Sequence, residues 1–418
     1  MSFVVPMEVV EIVLDHLSDD PKTLATCSLV CSTWIARTRH LLFGTVHLNP
    51  WRSHTFVDLI SHSSSTIPSH IHQLDINCSL TARQSQSKAS KHVPPGGTTI
   101  TEASAIEIDT AISGIQYLCL RNMDWTEFSL ELQSRIIASL TRLFTKVTRL
   151  QLGKVVLHDM RQLCCVLRAF PALERLEAGL KFLKYAEYSM THNSGDHARL
   201  PEGLKEIELS DEGISTVLGS IGAQSLPNAM RLNSLSLKGC APEMFPYVSS
   251  GLCTLSATLE SLRISFLQGG DSAVDSQNML KSFSLSDQTV LRALHIDDIN
   301  LTASSSAAPS IPELLASITC LTVEFIALHF HVRCLDDLER SEWDAIWMFL
   351  SNEKQFNATN RKRVKITLNF ELDTTCIPAA VKKWADEKVA PLNNFAPANI
   401  TFHVHVGSRC VESGVGCL

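Results

Sequence analysis

The feature that most constrains this chain is a short apolar motif, Leu-x-x-Leu-x-Leu, that keeps returning. It appears as IHQLDI around Leu74, IQYLCL around Leu118, VTRLQL around Leu150, LERLEA around Leu176, LKEIEL around Ile207, LNSLSL around Leu235, LESLRI around Leu262 and LRALHI around Leu294. From Leu150 to Leu294 the intervals are 26, 31, 28, 27 and 32 residues. That is the length of one strand plus one helix, and a unit so small cannot bury its apolar faces alone. Stacked on its neighbours it can, with parallel strands lining one side of a continuous core.

Segments of helical period fill several gaps between motifs: residues 129–144, 158–170 and 272–283. Beyond residue 312 the motif fades, but CLTVEFIALHFHV (320–332), RVKITLNFEL (363–372) and NITFHVHV (399–406) read as strands. Helices are expected at 341–352 and 377–389, the latter offering the charged Lys382–Lys388 surface as a polar end to the stack. Three polar stretches, 79–104, 188–203 and 302–312, read as insertion loops, the first as a disordered insert.

Residues 5–48 differ. They read as three short helices: Pro6 to Leu17, a second starting at Pro21 with Asp20 as its cap, and a third through Trp34, Ile35 and Leu41 or Leu42. On the first, Val9, Val10, Ile12, Val13, Leu14 and Leu17 spread over about 200° at ~100° per residue, roughly twice what one core requires. One arc can close the unit's own interior, and the other is left for a partner.

Pro6 after an aliphatic residue, Glu8, the run to Leu17, then Leu24, Leu29-Val30-Cys31, Trp34 and Leu42-Phe43 together resemble the F-box, in particular the version of fungal mushroom proteins that "DDPKTLATCSLVCSTW" is similar to. Val5 stands where that family usually has Leu. The resemblance implies docking to the Skp adaptor of a cullin–RING ubiquitin ligase through Val5, Pro6, Glu8, Val9, Leu17, Leu24, Leu29, Val30, Cys31 and Trp34. Within that set Pro6 and Leu17 are assigned to the interface and Leu29 to the helical core, while Trp34 suits either role. The later region resembles the irregular leucine-rich repeats often found behind an F-box, although the Asn or Cys after the last Leu appears only in places, as at Asn122 and Cys240.

The expected architecture is therefore α/β: a three-helix F-box (1–48), an irregular leucine-rich-repeat solenoid (49–406) with strands on the concave and helices on the convex face, and a flexible tail (407–418). The expected function is that of a non-catalytic substrate receptor in a Skp–cullin–F-box ligase, with a protein target held by the repeats. A non-degradative interaction scaffold is the alternative. Outward strand positions such as Arg149, Glu174, Lys205 and Arg263 are candidates for target contact.

Other chemistries find little footing. A net charge of -7 without a basic stripe argues against nucleic acid and anionic membranes. The first apolar run is broken by Glu8, Glu11 and Asp15, unlike a secretory signal, and no stretch suggests a membrane span, so a cytoplasmic or nuclear location is expected. Thirteen scattered cysteines then read as reduced core residues. PPGGTT (94–99) lacks the Lys of a phosphate loop, and GSIGAQ (219–224) lacks the third glycine of a dinucleotide site. His329-x-His331 and His403-x-His405 are each half of a metal site without a completing pair, so neither metal nor cofactor is expected.

Overall fold

The computed structural model describes residues 5–49, 53–62, 65–78, 114–183, 200–223, 231–266, 285–300, 322–332, 334–340, 364–372, 378–395 and 400–408, together with Leu315, Ile318 and Trp343. The expected loops at 79–104 and 302–312, most of 188–203, the helix at 272–283, all of 341–352 but Trp343, and the tail from 409 lie outside them. The chain forms two compact units, Met1–Leu204 and Lys205–Leu418.

The first unit opens with α1 (Met7–Asp15), α2 (Pro21–Val30) and α3 (Ser32–Phe43). It continues through β1 (Thr45–Leu48), α4 (Ser53–Ser61), β2 (Gln73–Asn77), β3 (Tyr117–Arg121), α5 (Leu130–Leu143), β4 (Arg149–Leu157), α6 (Met160–Arg168) and β5 (Arg175–Phe182). Its five strands pair in chain order, each parallel to the next. β1 had no motif to announce it. Its four residues join the sheet because Gly44 ends α3 and its carbonyl accepts from the His72 and Gln73 N–H groups at 3.0 and 2.9 Å, which sets the register with β2.

The second unit runs β6 (Glu206–Ser210), α7 (Gly213–Gly222), β7 (Ser234–Cys240), α8 (Phe245–Leu255), β8 (Ser261–Phe266), β9 (Ala293–Asn300), β10 (Phe325–Val332), α9 (Leu335–Arg340), β11 (Val364–Leu372), α10 (Pro378–Phe395) and β12 (Ile400–Ser408). Again strand order is chain order and every pairing is parallel. All eight motifs and the three later segments are strands, and the last continues through Gly407 and Ser408.

Register follows the motif. Val46, Leu74, Leu118, Leu150 and Leu176 stand opposite one another across the first sheet. Ile207, Leu235, Leu262, Leu294, Ile326 and Ile366 do so in the second. From Leu74 onward every side chain in both rows is buried. A slip of one residue would turn each row into solvent, so the motif specifies the pairing.

A second repeated device is not apolar. Asn122, Lys154, Asp211, Gly239 and Asp298 all have φ between 54° and 71°, and each lies five positions after the first residue of its strand. At Lys154, Gly239 and Asp298 this coincides with one extra residue relative to the following strand, a β-bulge that bends the chain out of the ladder. Only Gly adopts such a φ without cost, with Asn and Asp the next most tolerant. The identities at this position therefore vary within a narrow chemical range, Lys154 excepted.

α7 and α8 were not evident from periodicity. The GSIGAQ segment begins inside α7, where Gly222 serves helix packing: a Cβ there would overlap the Ser250 hydroxyl of α8. Near the end of the second unit Trp384 of α10 meets Phe370 edge-on at 5.9 Å and Trp343 at 5.2 Å. Val381 and Ala385 are buried beside it, and Lys382, Lys383 and Lys388 face outward. Among the described residues no helix is long and apolar enough to cross a membrane.

Candidate functional site

The three N-terminal helices close on a small interior. Leu14 and Leu24 are buried, and Thr38 is buried with its hydroxyl donating to the Trp34 carbonyl at 2.8 Å, so the polar group costs little. Asp20 caps α2, accepting from the Thr23 N–H at 3.1 Å and the Thr23 hydroxyl at 2.6 Å. Those bonds, the hydroxyl's first, hold its carboxyl below the ordinary carboxylate value. Cys31 is extended (φ -148°, ψ 136°) and breaks the helix into α2 and α3. The Thr33 hydroxyl beside it, 3.0 Å away, lowers its thiol.

α1 sorts its apolar residues onto two faces. Leu14 is buried, with Val10 and Leu17 half-buried on the same side, Leu17 just past the helix end, whereas Val5, Val9, Ile12 and Val13 form an exposed stripe at i, i+4, i+7 and i+8. The two arcs are centred roughly 120° apart. At the end of α2, Leu29 is 86% exposed and Val30 66%. Six of the eleven large hydrophobic side chains exposed among the described residues thus fall within Val5–Val30, too many for isolated surface residues to account for.

The ten expected contact residues divide accordingly. Val5, Pro6, Glu8, Val9, Leu29 and Val30 are exposed, while Leu17, Cys31 and Trp34 are half-buried. Two expectations need correction. Leu24 is 0% exposed and belongs to the interior, because it follows the Asp20 cap on the inward side of α2. Leu29, assigned to the core, points into solvent because α2 stops at Val30 before another turn could cover it. Ile12 and Val13 were absent from the contact set, yet complete the stripe; their spacing from Val5 and Val9 was the signal that could have placed them there.

A second candidate surface is the outer face of the strands. Arg149, Glu174, Lys205 and Arg263 are all at least partly exposed. In the first unit, Arg149 on β4 donates to Glu177 on β5 through Nε (2.9 Å) and Nη2 (2.5 Å), and Arg175 Nε reaches the same oxygen at 3.1 Å. Arg121 Nη2 and His47 Nδ1 address Asp75 at 3.3 and 3.0 Å. Tyr117 donates its hydroxyl to Gln151 at 2.7 Å.

In the second unit Arg263 pairs with Asp297, and His331 lies between Asp298 (2.7 Å) and Glu371 (3.0 Å). The two His-x-His pairs sit on β10 and β12 with β11 between them, and Asn369 occupies the position between His329 and His405. Asn369 Nδ2 lies 2.9 Å from His329 Nε2. Among the described residues no three His, Cys, Asp or Glu side chains are placed to share a metal.

No family model matches the chain, and no curated protein matches it either.

Proposed function

We propose that this chain is the target-recognition subunit of a Skp–cullin–F-box ubiquitin ligase, docking on the Skp adaptor through its N-terminal helices and holding a target protein with its repeated strands. The observation that carries the reading is the outward stripe of Val5, Val9, Ile12 and Val13, with Leu29 and Val30, on a unit whose interior is already closed by Leu14, Leu24 and Thr38. Full burial of one such side chain is worth about 1.5–3 kcal/mol. Six of them, even half-buried on docking, supply a driving force comparable to the low end of the ~4–15 kcal/mol lost on association.

The leucine-rich-repeat reading of the remainder is supported by the in-register aliphatic rows and by the recurrent left-handed residue five places into the strand. The chain's part in catalysis is positional: a tethered target meets the ligase's ubiquitin-charged enzyme at raised effective concentration.

The test is capture of purified Skp-type adaptor by the purified chain. Val9→Asp with Ile12→Asp is expected to abolish capture while leaving the circular dichroism spectrum unchanged. Capture at full strength by that variant sinks the assignment. Absence of cullin and polyubiquitin from material that does retain adaptor would favour the non-degradative scaffold instead.

A further inference from the structure

The outer face of the first unit's sheet is layered by charge. Asp75 and Glu177 lie low, their side chains 8% and 11% exposed, while the guanidiniums that pair with them stand above: Arg121 at 49%, Arg149 at 42% and Arg175 at 39%. Length is the cause, since a short carboxylate stays near the strand and a long Arg stem arches over it. A molecule arriving from solvent therefore meets N–H donors first. Arg149 Nη2 and Arg175 Nε both reach the same Glu177 oxygen, at 2.5 and 3.1 Å.

These guanidiniums are held in place. That of Arg149 lies 4.8 Å from the Tyr117 ring centroid while bonded to Glu177. Arg121 donates through Nε to the Cys119 thiol at 3.1 Å, and its stem crosses Gly153, where a Cβ would come within 3.3 Å of Arg121 Cγ. Donors fixed in this way lose little further freedom on binding an anion.

We propose that this face binds an extended, carboxylate-rich segment of a target polypeptide, with Arg121, Arg149 and Arg175 as its anchors. The proposal rests on the target-receptor reading and gives it a substrate class. β3 and β5 are two strands apart, about 9.5 Å, and alternate side chains of an extended peptide are ~7 Å apart, so a few alternating acids span the three arginines. Nucleic acid fits less well: the chain carries a net charge of -7, and Glu174 is exposed in the turn before β5. A duplex binder typically neutralises about 6–10 phosphates, against three guanidiniums here.

The experiment is fluorescence anisotropy of the full chain with a short labelled Asp/Glu-rich peptide, its Asn/Gln counterpart and a single-stranded oligonucleotide. The acidic peptide is expected to bind, to weaken as salt rises, and to lose about tenfold or more in affinity with Arg149→Gln plus Arg175→Gln, since charge-assisted hydrogen bonds are stronger than neutral ones. Lys238→Gln, in the second unit, is the control and leaves binding unchanged. If the double variant fails to fold, Arg121→Gln, which keeps the Arg149–Glu177–Arg175 cluster whole, is expected to weaken binding severalfold.

Equal binding of acidic and amide peptides overturns the proposal, as do folded variants that bind like the parent or an oligonucleotide that displaces the peptide. Adaptor capture is measured in parallel. Peptide binding without adaptor capture would remove the ligase assignment and leave this surface standing, whereas capture without peptide binding would do the reverse.

Discussion

Asp15 at the end of α1 accepts from both Nε and Nη2 of Arg37 on α3, at 2.8 and 2.5 Å. This pair fixes the roll of α1 about its axis. With Leu14 inward and Asp15 tied to α3, the arc through Val9, Ile12 and Val13 is left pointing outward. Both side chains are partly exposed, so the pair's own stabilisation is small, about 0.2–1 kcal/mol. Arg37→Ala is therefore expected to shift the urea midpoint little and to weaken adaptor capture more than that shift explains; equal effects on both would refute the orienting role.

Leu24 and Leu29, five residues apart on one helix, are expected to separate structure from docking. Leu24→Ala removes a fully buried side chain and should cost about 2–5 kcal/mol of stability. Leu29→Asp changes an exposed one and should cost at most ~0.5 kcal/mol while impairing capture. Denaturant titration and pull-down of the two variants side by side decide it.

The left-handed positions make opposite predictions at two sites. Gly239 has φ 71°, so Gly239→Val should destabilise by about 2 kcal/mol. Lys154 adopts φ 54° with a full side chain, and Lys154→Gly relieves ~1–2 kcal/mol of crowding against ~0.5–1 kcal/mol of added chain entropy. A modest rise in melting temperature is expected there, and a fall would refute the account.

Acid should destabilise the second unit through His295 and His329. Burial, more than the nearby Arg263, lowers both imidazoles from the ordinary 6.5, with Asp297 opposing. The unfolded chain then binds more protons in the window below 6.5, so stability is full above that pH and falls as the pH drops through the folded values. His295→Gln with His329→Gln should flatten the pH dependence of the denaturation midpoint, and an unchanged slope would rule these groups out.

Adjacent cysteines are expected to differ in reactivity. Burial pushes the thiols of Cys164 and Cys240 up to about 12, whereas Cys165 and Cys253 are exposed. Since the thiolate is the nucleophile, brief native alkylation read by peptide mass spectrometry should label Cys165 and spare Cys164.

Much of this was legible because the repeated leucines carry two kinds of information at once. They mark a strand and, through the face they must bury, its register, so eight strands could be found from Leu74 to Leu294 without any help from their neighbours. β1 was missed because Val46 and Leu48 make too short a pattern to stand out, and only pairing with Leu74 and Ile76 makes them a strand. α7 was missed because Gly213, Gly219 and Gly222 suppress the helical signal, and their use becomes visible only with Ser250 opposite. Leu24 and Leu29 were misassigned for a related reason: both are leucines on the same helix, and where α2 stops decides which of them is covered.

In each unit every strand is flanked only by the strands next to it in the chain. Such an array has no long-range closure to protect it, so its cohesion is a sum over adjacent pairs and falls away towards its ends. Unfolding need not be all-or-none. The terminal strands should open and close on their own, leaving the interior strands intact, much as a stack of plates can lose its outermost members without toppling.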